Sequence, residues 1–550
     1  ISKFFLYAIP ISVLIVVSQM FFPFIVGKDI WLRTTTSLSL FFYIAYLFTP
    51  SNFYEEKWRN LWLVLKKPLN LSLIIFTGLF LLSCITALNP HLAFFSNFER
   101  GEGGLQMIFY ALFFLLLSLH LKTKKDWEHF IAWILIIAVL VSIYAFGQRF
   151  CNSKFTNVID AGGTNETANR ALQSCVSQYR FFGDGNRASG TLGNPLYLST
   201  FITFTFFYSI FFIYLKKDLI KKSIFGLLLL FQGAAFLVLT QSRNGIAGVI
   251  AGTLAILIYF SFKGGHIKIA NKISLQKIAL IALGTSLILG GIFIKTRTNP
   301  IWQNIPGIAR LAQAELLGGI RDRTWTWGSA YKGFIEKPIF GWGPENFPYT
   351  FDKYYNPNHY GLDSWFDRAH NIYLEYLVTG GIILLISYLS IWFFFFKNLF
   401  QNKNESDTIE RGLFLSLAVA YLVQGITAFE VLPIYLMLYT FFAFSVNYYD
   451  RNSTNVGKIY IPKENSIVSL AVIIISGVII ALSLYYVNYR PYIKNRTLLE
   501  AASLGNVGRN AFPKFDEALL YKSLIGEEET TQYYVLFNLQ ILESNINNPD

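Results

Sequence analysis

Apolar runs of roughly 17–23 residues recur along this chain, each long enough to cross a hydrocarbon core of about 30 Å as a helix. Nothing else in the sequence limits the fold as strongly. Hydrocarbon holds no water to satisfy a backbone N–H or C=O, so a crossing segment must pair its own backbone groups, as a helix does. About thirteen spans are expected, near 4–26, 35–50, 70–88, 105–121, 129–147, 195–215, 222–241, 244–262, 277–296, 375–397, 411–430, 432–448 and 466–487. The expected fold class is all-α, a polytopic transmembrane bundle of about 12–13 helices. Composition agrees: 14% of the 550 residues are charged, against about 25% in a soluble protein.

The net charge of +13 is a matter of placement. Loops 51–69, 122–128, 216–222, 263–277, 397–411 and 449–463 each hold a cluster of Lys and Arg, as in "KKDLIKK" and "LKTKKDW". They alternate to one side of the spans. The Lys/Arg bias makes that side cytoplasmic and puts the N-terminus inside. This placement argues against nucleic acid as a partner and for the lipid bilayer. The opening "ISKFFLYAIPISVLIVV" has no small-residue cleavage site after it, so it reads as a membrane anchor. The expected location is the cytoplasmic (inner) membrane, with three longer polar segments, 88–104, 148–194 and 297–374, on the periplasmic or extracellular side.

The residues after 488 also fall outside, which divides the chain into a transmembrane part, 1–487, and an extracytoplasmic helical segment, 488–550. In that segment "NAFPKFDEAL" sets Ala511, Phe515, Ala518 and Leu519 at the offsets of a tetratricopeptide-type helix, though any amphipathic helix pair can give the same pattern. A unit of that kind needs packed neighbours. Of the cysteines, Cys84 lies in a span and is expected in the core. Cys151 and Cys175 share an outer loop, where a disulfide is allowed.

Charge is nearly absent inside the spans, whereas ion-coupled pumps place acids, His or Lys near the midplane. The exceptions, Arg243 and Glu430, stand at span edges. Polar chemistry instead gathers in outer segments: "SNFERGEGG" with Arg100, "GNRASGTLGNPLYL" with Arg187, "TQSRNGIAG" with Arg243, and the long loop with "RDRTWTWGSAYKGFIEKPIFGWGPENF" and "FDRAHN". Arg243 in a tight outer turn is either a snorkelling side chain or a ligand for an anion. Guanidinium suits phosphate oxygens through paired, planar donors. His370, at the start of a helix, is either structural or an acid–base group, since imidazole titrates near neutrality. Asp367 is placed to orient it. Glu345, Asp363 and Asn346 are further candidates. No His/Cys/Asp spacing suggests a metal, and no Walker loop, GxGxxG or nucleophile elbow suggests a cofactor.

Taken together, "RTWTWGSAYKGFIEKPIFGWGPENF" and "HNIYLEYLVTGG" resemble the O-antigen ligase and O-antigen polymerase family of bacterial membrane glycosyltransferases. Arg323, Trp327, Pro338, Gly341, Gly343, Phe347, His370 and Asn371 match the family pattern in order. Arg321 is a rival for Arg323, whose register carries through Trp327 and Pro338. Arg243 is similar to the family's arginine at an outer turn, "RASGTLGNPLYL" to a further family segment, and "NFERGEGG" to a loop of the larger members. The resemblance covers most of 70–450. It departs at Leu196, where the family has Asn, and at Leu384, where ligases often have Gly.

The resemblance implies transfer of a glycan from undecaprenyl diphosphate to an acceptor hydroxyl at the outer face, without a metal or cofactor. His370 would activate or position the hydroxyl, with Asn371, Asp367 and Glu345 in support. Arg243 and Arg323, with Arg187 and Arg100 as further candidates, would bind the diphosphate. The acceptor is a glycan, a lipid or a protein, so ligase, polymerase and protein O-oligosaccharyltransferase remain alternatives. A lipid-linked glycan transporter is the non-enzyme alternative, and it would need a polar path through the spans.

Overall fold

The computed structural model of the protein describes residues 1–160, 187–269, 272–305, 307–312, 318–360, 365–401, 407–449, 461–506 and 509–547. Among these residues helices dominate. The sole β structure among the described residues is the antiparallel pair Lys268–Ile269 and Ile273–Ser274. Among the described residues eight helices are long and apolar enough to cross a membrane: Pro68–Ile85, Lys124–Cys151, Pro195–Leu215, Leu219–Thr240, Arg243–Lys263, Leu275–Thr296, Ile372–Gln401 and Ser466–Asn506. Ser2–Leu14, Gly104–His120 and Leu432–Tyr448 are shorter apolar helices. Leu275–Thr296 exposes Leu280, Ile281, Leu287, Ile288, Leu289, Ile292 and Ile294. A continuous apolar face of that kind suits lipid, not water. The chain is a multi-pass, all-α membrane protein.

The first expected span, 4–26, is not one helix. Ser2–Ala8 passes into a 3-10 turn, Ile9–Leu14, the backbone extends at Ile15, and Phe22 takes a φ of 59°. Helix resumes at Val26 and runs to Phe48. Pro10 and Pro23 deprive this stretch of helical donors, and the buried Lys28 ammonium donates to the Ile15 carbonyl that the break leaves open. The sequence hides the break because the residues on both sides are apolar.

The chain divides into two compact units. The first comprises Ile1–Lys122, Gly343–Asn346 and Asn452–Asp550. In its interior Arg33 Nε donates to Gln106 Oε1 at 2.8 Å, and Gln106 Nε2 donates to Asp29 Oδ1 at 3.2 Å. Tyr110 donates to Glu102 Oε2 at 2.9 Å, and the Glu102 N–H donates to Ser96 Oγ at 3.1 Å. These bonds hold the "FERGEGG" loop from inside. Near the C-terminus, Arg490–Asn506, Phe512–Leu520 and Glu527–Asn547 follow one another as helices. Phe515, with Leu498, Ala501 and Ala511, forms their core, flanked by Tyr533, Tyr534 and Phe537.

The second unit comprises Thr123–Trp342 and Phe347–Arg451. Its centre is the helix Arg243–Lys263 packed on Thr408–Gln424. Glycines permit the close approach. A Cβ on Gly248 would lie 2.5 Å from Gln424 Cγ, and one on Gly252 would lie 2.5 Å from the Ser416 carbonyl oxygen. Gly248 therefore faces Gln424 and Gly252 faces Ser416, so the helices are antiparallel. The start of one is level with the end of the other. Gln424 also donates to Thr203 at 3.0 Å, which ties in Pro195–Leu215.

The long helix Ile372–Gln401 kinks at Gly381, where φ is 68° and ψ is −172°. A kink frees backbone groups that need partners. Here Val378 C=O accepts from the Trp342 N–H at 2.9 Å, and the Ile382 N–H donates to Pro338 C=O at 2.8 Å. The "PIFGW" turn thus pairs with the kink. It fixes the second unit's share of the long loop to this helix, with Trp342, Phe347, Phe351, Phe366, Ala369 and Val378 as a common core.

Candidate active site

A tight turn at Thr240–Ser242 collects cations. The helix beginning at Leu219 ends in a π turn, Ala235–Thr240, and Gln241 follows in the left-handed region at φ 45°. The last carbonyls of a helix lack intrahelical donors. Here they find side chains and loop amides instead. The Ala188 N–H donates to Leu239 C=O at 2.9 Å, Arg187 Nε donates to Thr240 C=O at 3.1 Å, and Arg310 Nη1 donates to Gln241 C=O at 3.4 Å. The next helix then starts at Arg243, capped by Ser242 Oγ accepting from the Gly245 N–H at 3.3 Å. Arg243 donates its Nε–H to the Arg310 backbone carbonyl at 3.0 Å.

Arg323 joins this group from the helix Gly318–Glu336. Burial holds its pKa below the ordinary arginine range, and the charge of Arg243 adds to the effect. Among the described residues, no carboxylate forms an ion pair with Arg243, Arg310 or Arg323. The start of a long helix, its dipole and several guanidiniums near one turn are chemistry that suits an anion of more than one charge. Arg310 was not singled out in the sequence. It lies in "GIARLAQAE", which has no motif spacing, and only folding brings it against residues 67 positions away. The side chain of Arg321, the rival of Arg323, lies outside the described residues, as do Asp363 and Cys175 as whole residues. Cys151 is disulfide-bonded, and Cys84 is buried and free.

His370 is built by a second turn. Asn371 caps the helix that follows, its Oδ1 accepting from the Tyr373 and Leu374 N–H groups at 3.0 and 3.1 Å. The Ile372 N–H donates to Gly425 C=O at 2.9 Å. His370 has a φ of 50°, uncommon outside glycine, so its side chain leaves the helix path. The imidazole is half-buried between Phe366 and Phe429, edge-on to both at 5.3 and 5.1 Å. Beneath it, Glu375 Oε2 accepts from the Ala369 N–H at 2.7 Å, and Glu375 Oε1 pairs with Arg368 at 3.3 Å. Arg368 and Glu375 are both buried, so that guanidinium is committed inside the turn. Asp367 is half-buried beside it.

These two turns lie at one end of the second unit. A Cβ on Gly245 would overlap Ser199 Oγ at 1.8 Å, which puts the Arg243 turn against the first turns of Pro195–Leu215. From that same region Tyr197 meets Phe429 edge-on at 6.0 Å, and Phe429 is the ring against His370. The antiparallel packing of Gly248 on Gln424 sets the same level independently. The structure thus brings Arg187, Arg243, Arg310, Arg323 and His370 to one end of the helices. Arg100 and Glu345 belong to the first unit. Arg100 pairs with Glu99 at 3.5 Å. Glu345 is buried with a φ of 62° in the turn Gly343–Asn346, where Asn346 Oδ1 accepts from the Asn89 N–H at 2.8 Å. Among the described residues, no three His, Cys, Asp or Glu gather as metal ligands.

Comparison with known proteins gives one family. Residues 225–389 match a model described as O-antigen ligase. No curated protein matches the chain. The matched segment runs from the helix before Arg243 through Arg310, Arg323, the "PIFGWG" turn and His370 to the kinked helix, and over this segment the chain is similar to the O-antigen ligase family.

Proposed function

We propose that the protein transfers a glycan from an undecaprenyl-diphosphate donor to an acceptor hydroxyl at the outer face of the cytoplasmic membrane. One observation carries this reading: guanidiniums with no carboxylate partner among the described residues gather at a helix start, on the same end of the helices as a half-buried imidazole. The arginines bind the donor diphosphate. The imidazole takes the acceptor proton as the hydroxyl oxygen forms its bond to the anomeric carbon. The bond from that carbon to the diphosphate oxygen breaks, and its electron pair leaves on the lipid diphosphate. Negative charge grows there, where fixed cations stabilise it more in the transition state than in the ground state. Attack opposite the leaving group inverts the anomeric centre. Guanidinium charge fills the role of a metal ion in this reading, and a chelator is expected to leave the rate unchanged.

The orientation follows from the Lys and Arg of the opposite loops. The helices after 488 are proposed as an extracytoplasmic segment. The test is a transfer assay in bilayers with a synthetic undecaprenyl-diphosphate oligosaccharide. Acceptor glycan, lipid-linked acceptor and acceptor protein are offered in separate arms. Transfer to any of them with release of undecaprenyl diphosphate supports the reading, and the arm identifies the acceptor. Movement of donor between leaflets without release supports a transporter instead.

A further inference from the structure

We infer that Arg310 is a donor-binding residue that shares the diphosphate with Arg243, not merely a cap on the preceding helix. The inference rests on the reading of this end as a diphosphate site.

Three observations support it. The one-turn helix Ile308–Ala312 that carries Arg310 is docked by its backbone. Gly307, at φ 80°, lies where a Cβ would be 2.9 Å from the Leu237 carbonyl oxygen, and the Arg310 carbonyl accepts from Arg243 Nε at 3.0 Å. The segment is therefore held in place without its arginine side chain. Second, that side chain gives one N–H to the Gln241 carbonyl across 3.4 Å, at the long limit of such a bond. A guanidinium has five N–H donors. A helix end needs only one neutral donor, which a shorter side chain supplies at lower entropic cost.

Third, Arg243 and Arg310 are attached to the same turn and to each other, and among the described residues neither has an acidic partner. Two cations held side by side repel unless an anion joins them. Arg243 has its Nε turned onto the Arg310 backbone, which leaves its terminal nitrogens as donors. Arg310 presents its remaining donors from the adjoining segment. A diphosphate, with oxygens on two phosphorus centres, offers each guanidinium its own phosphorus to fork onto. The anion that suits this pair, on the donor reading, is a diphosphate.

The experiment uses the full chain in lipid nanodiscs, with inorganic pyrophosphate as the probe and calorimetry as the readout. Donor and acceptor KM are measured in parallel on the transfer reaction. Arg310→Gln is expected to weaken pyrophosphate by about tenfold or more, to raise the donor KM in proportion, and to leave the acceptor KM unchanged. Arg310→Lys keeps the charge and loses the fork, and about a threefold loss is expected. Should Arg310→Gln not fold, Arg310→Lys decides. Wild-type pyrophosphate affinity in these Arg310 variants, with weakened binding in Arg243→Gln, overturns the role of Arg310 and leaves the diphosphate site standing. A wild-type protein that binds no pyrophosphate at all overturns both.

Discussion

Arg243 and Arg368 are both arginines of the second unit, and their surroundings give them different work. Arg368 is buried and its charge is answered by Glu375 at 3.3 Å. Removing one partner of such a pair leaves a buried charge alone and costs about 3–5 kcal/mol. Arg368→Ala should therefore lower the unfolding midpoint in detergent sharply. Among the described residues Arg243 gives one hydrogen bond, to a backbone carbonyl, so Arg243→Ala should cost about 1 kcal/mol of stability and weaken donor binding. A melting curve beside a binding curve for each variant separates the two. The sequence points to Arg243 because a cation in a tight turn opposite the basic loops needs a reason. It does not resolve Arg368, since "FDRAHN" gives no sign that Glu375, one helical turn on, reaches back to claim the guanidinium. Arg310 is illegible for the opposite reason: nothing local marks it, and its neighbours are distant in the chain.

Elements carry the site through their irregularities. The kink at Gly381 is required by the backbone of the "PIFGW" turn. A Cβ at Gly381 would lie 2.1 Å from the Ile339 carbonyl oxygen, and its φ of 68° already disfavours any other residue. Gly381→Ala should destabilise the second unit by about 2 kcal/mol or more, measured as loss of cooperative unfolding midpoint. In the first unit, the "NFERG" loop is clasped by the C-terminal helices. Glu529 Oε1 accepts from the Phe98 N–H and, at 3.3 Å, from the Glu99 N–H. Burial pushes the Glu529 carboxyl up to about 7. The folded protein then binds more protons than the unfolded chain between about pH 4.5 and 7, so this contact is strongest below that window and weakens as pH rises through it. Hydrogen exchange at the Phe98 and Glu99 amides should speed up beyond its intrinsic pH dependence from pH 5 to pH 8, and Glu529→Gln should remove that excess. Periodicity shows these helices well. It shows neither the kink nor the break at 15–25, because both depend on which distant carbonyl or ammonium meets the open backbone.

For the whole molecule, apolar runs and basic loops make the membrane fold legible, since length and hydropathy are local properties. The count of about thirteen spans reads less well than the fold class: the first is broken, and Val26–Phe48 carries the buried Lys28, Asp29 and Arg33. The proposed orientation predicts that a cysteine at Gly265 reacts with a membrane-impermeant reagent only from the cytoplasmic side, and one at Asn299 only from the outside. The opposite pattern would turn the proposed active end inward. The central claim is a division of labour, with arginines holding the donor diphosphate and His370 serving the acceptor hydroxyl. Its most direct test is undecaprenyl-diphosphate release by His370→Ala at saturating donor and acceptor, beside its pyrophosphate affinity. The account predicts wild-type affinity with release slowed by about a hundredfold or more. Release at the wild-type rate would contradict it.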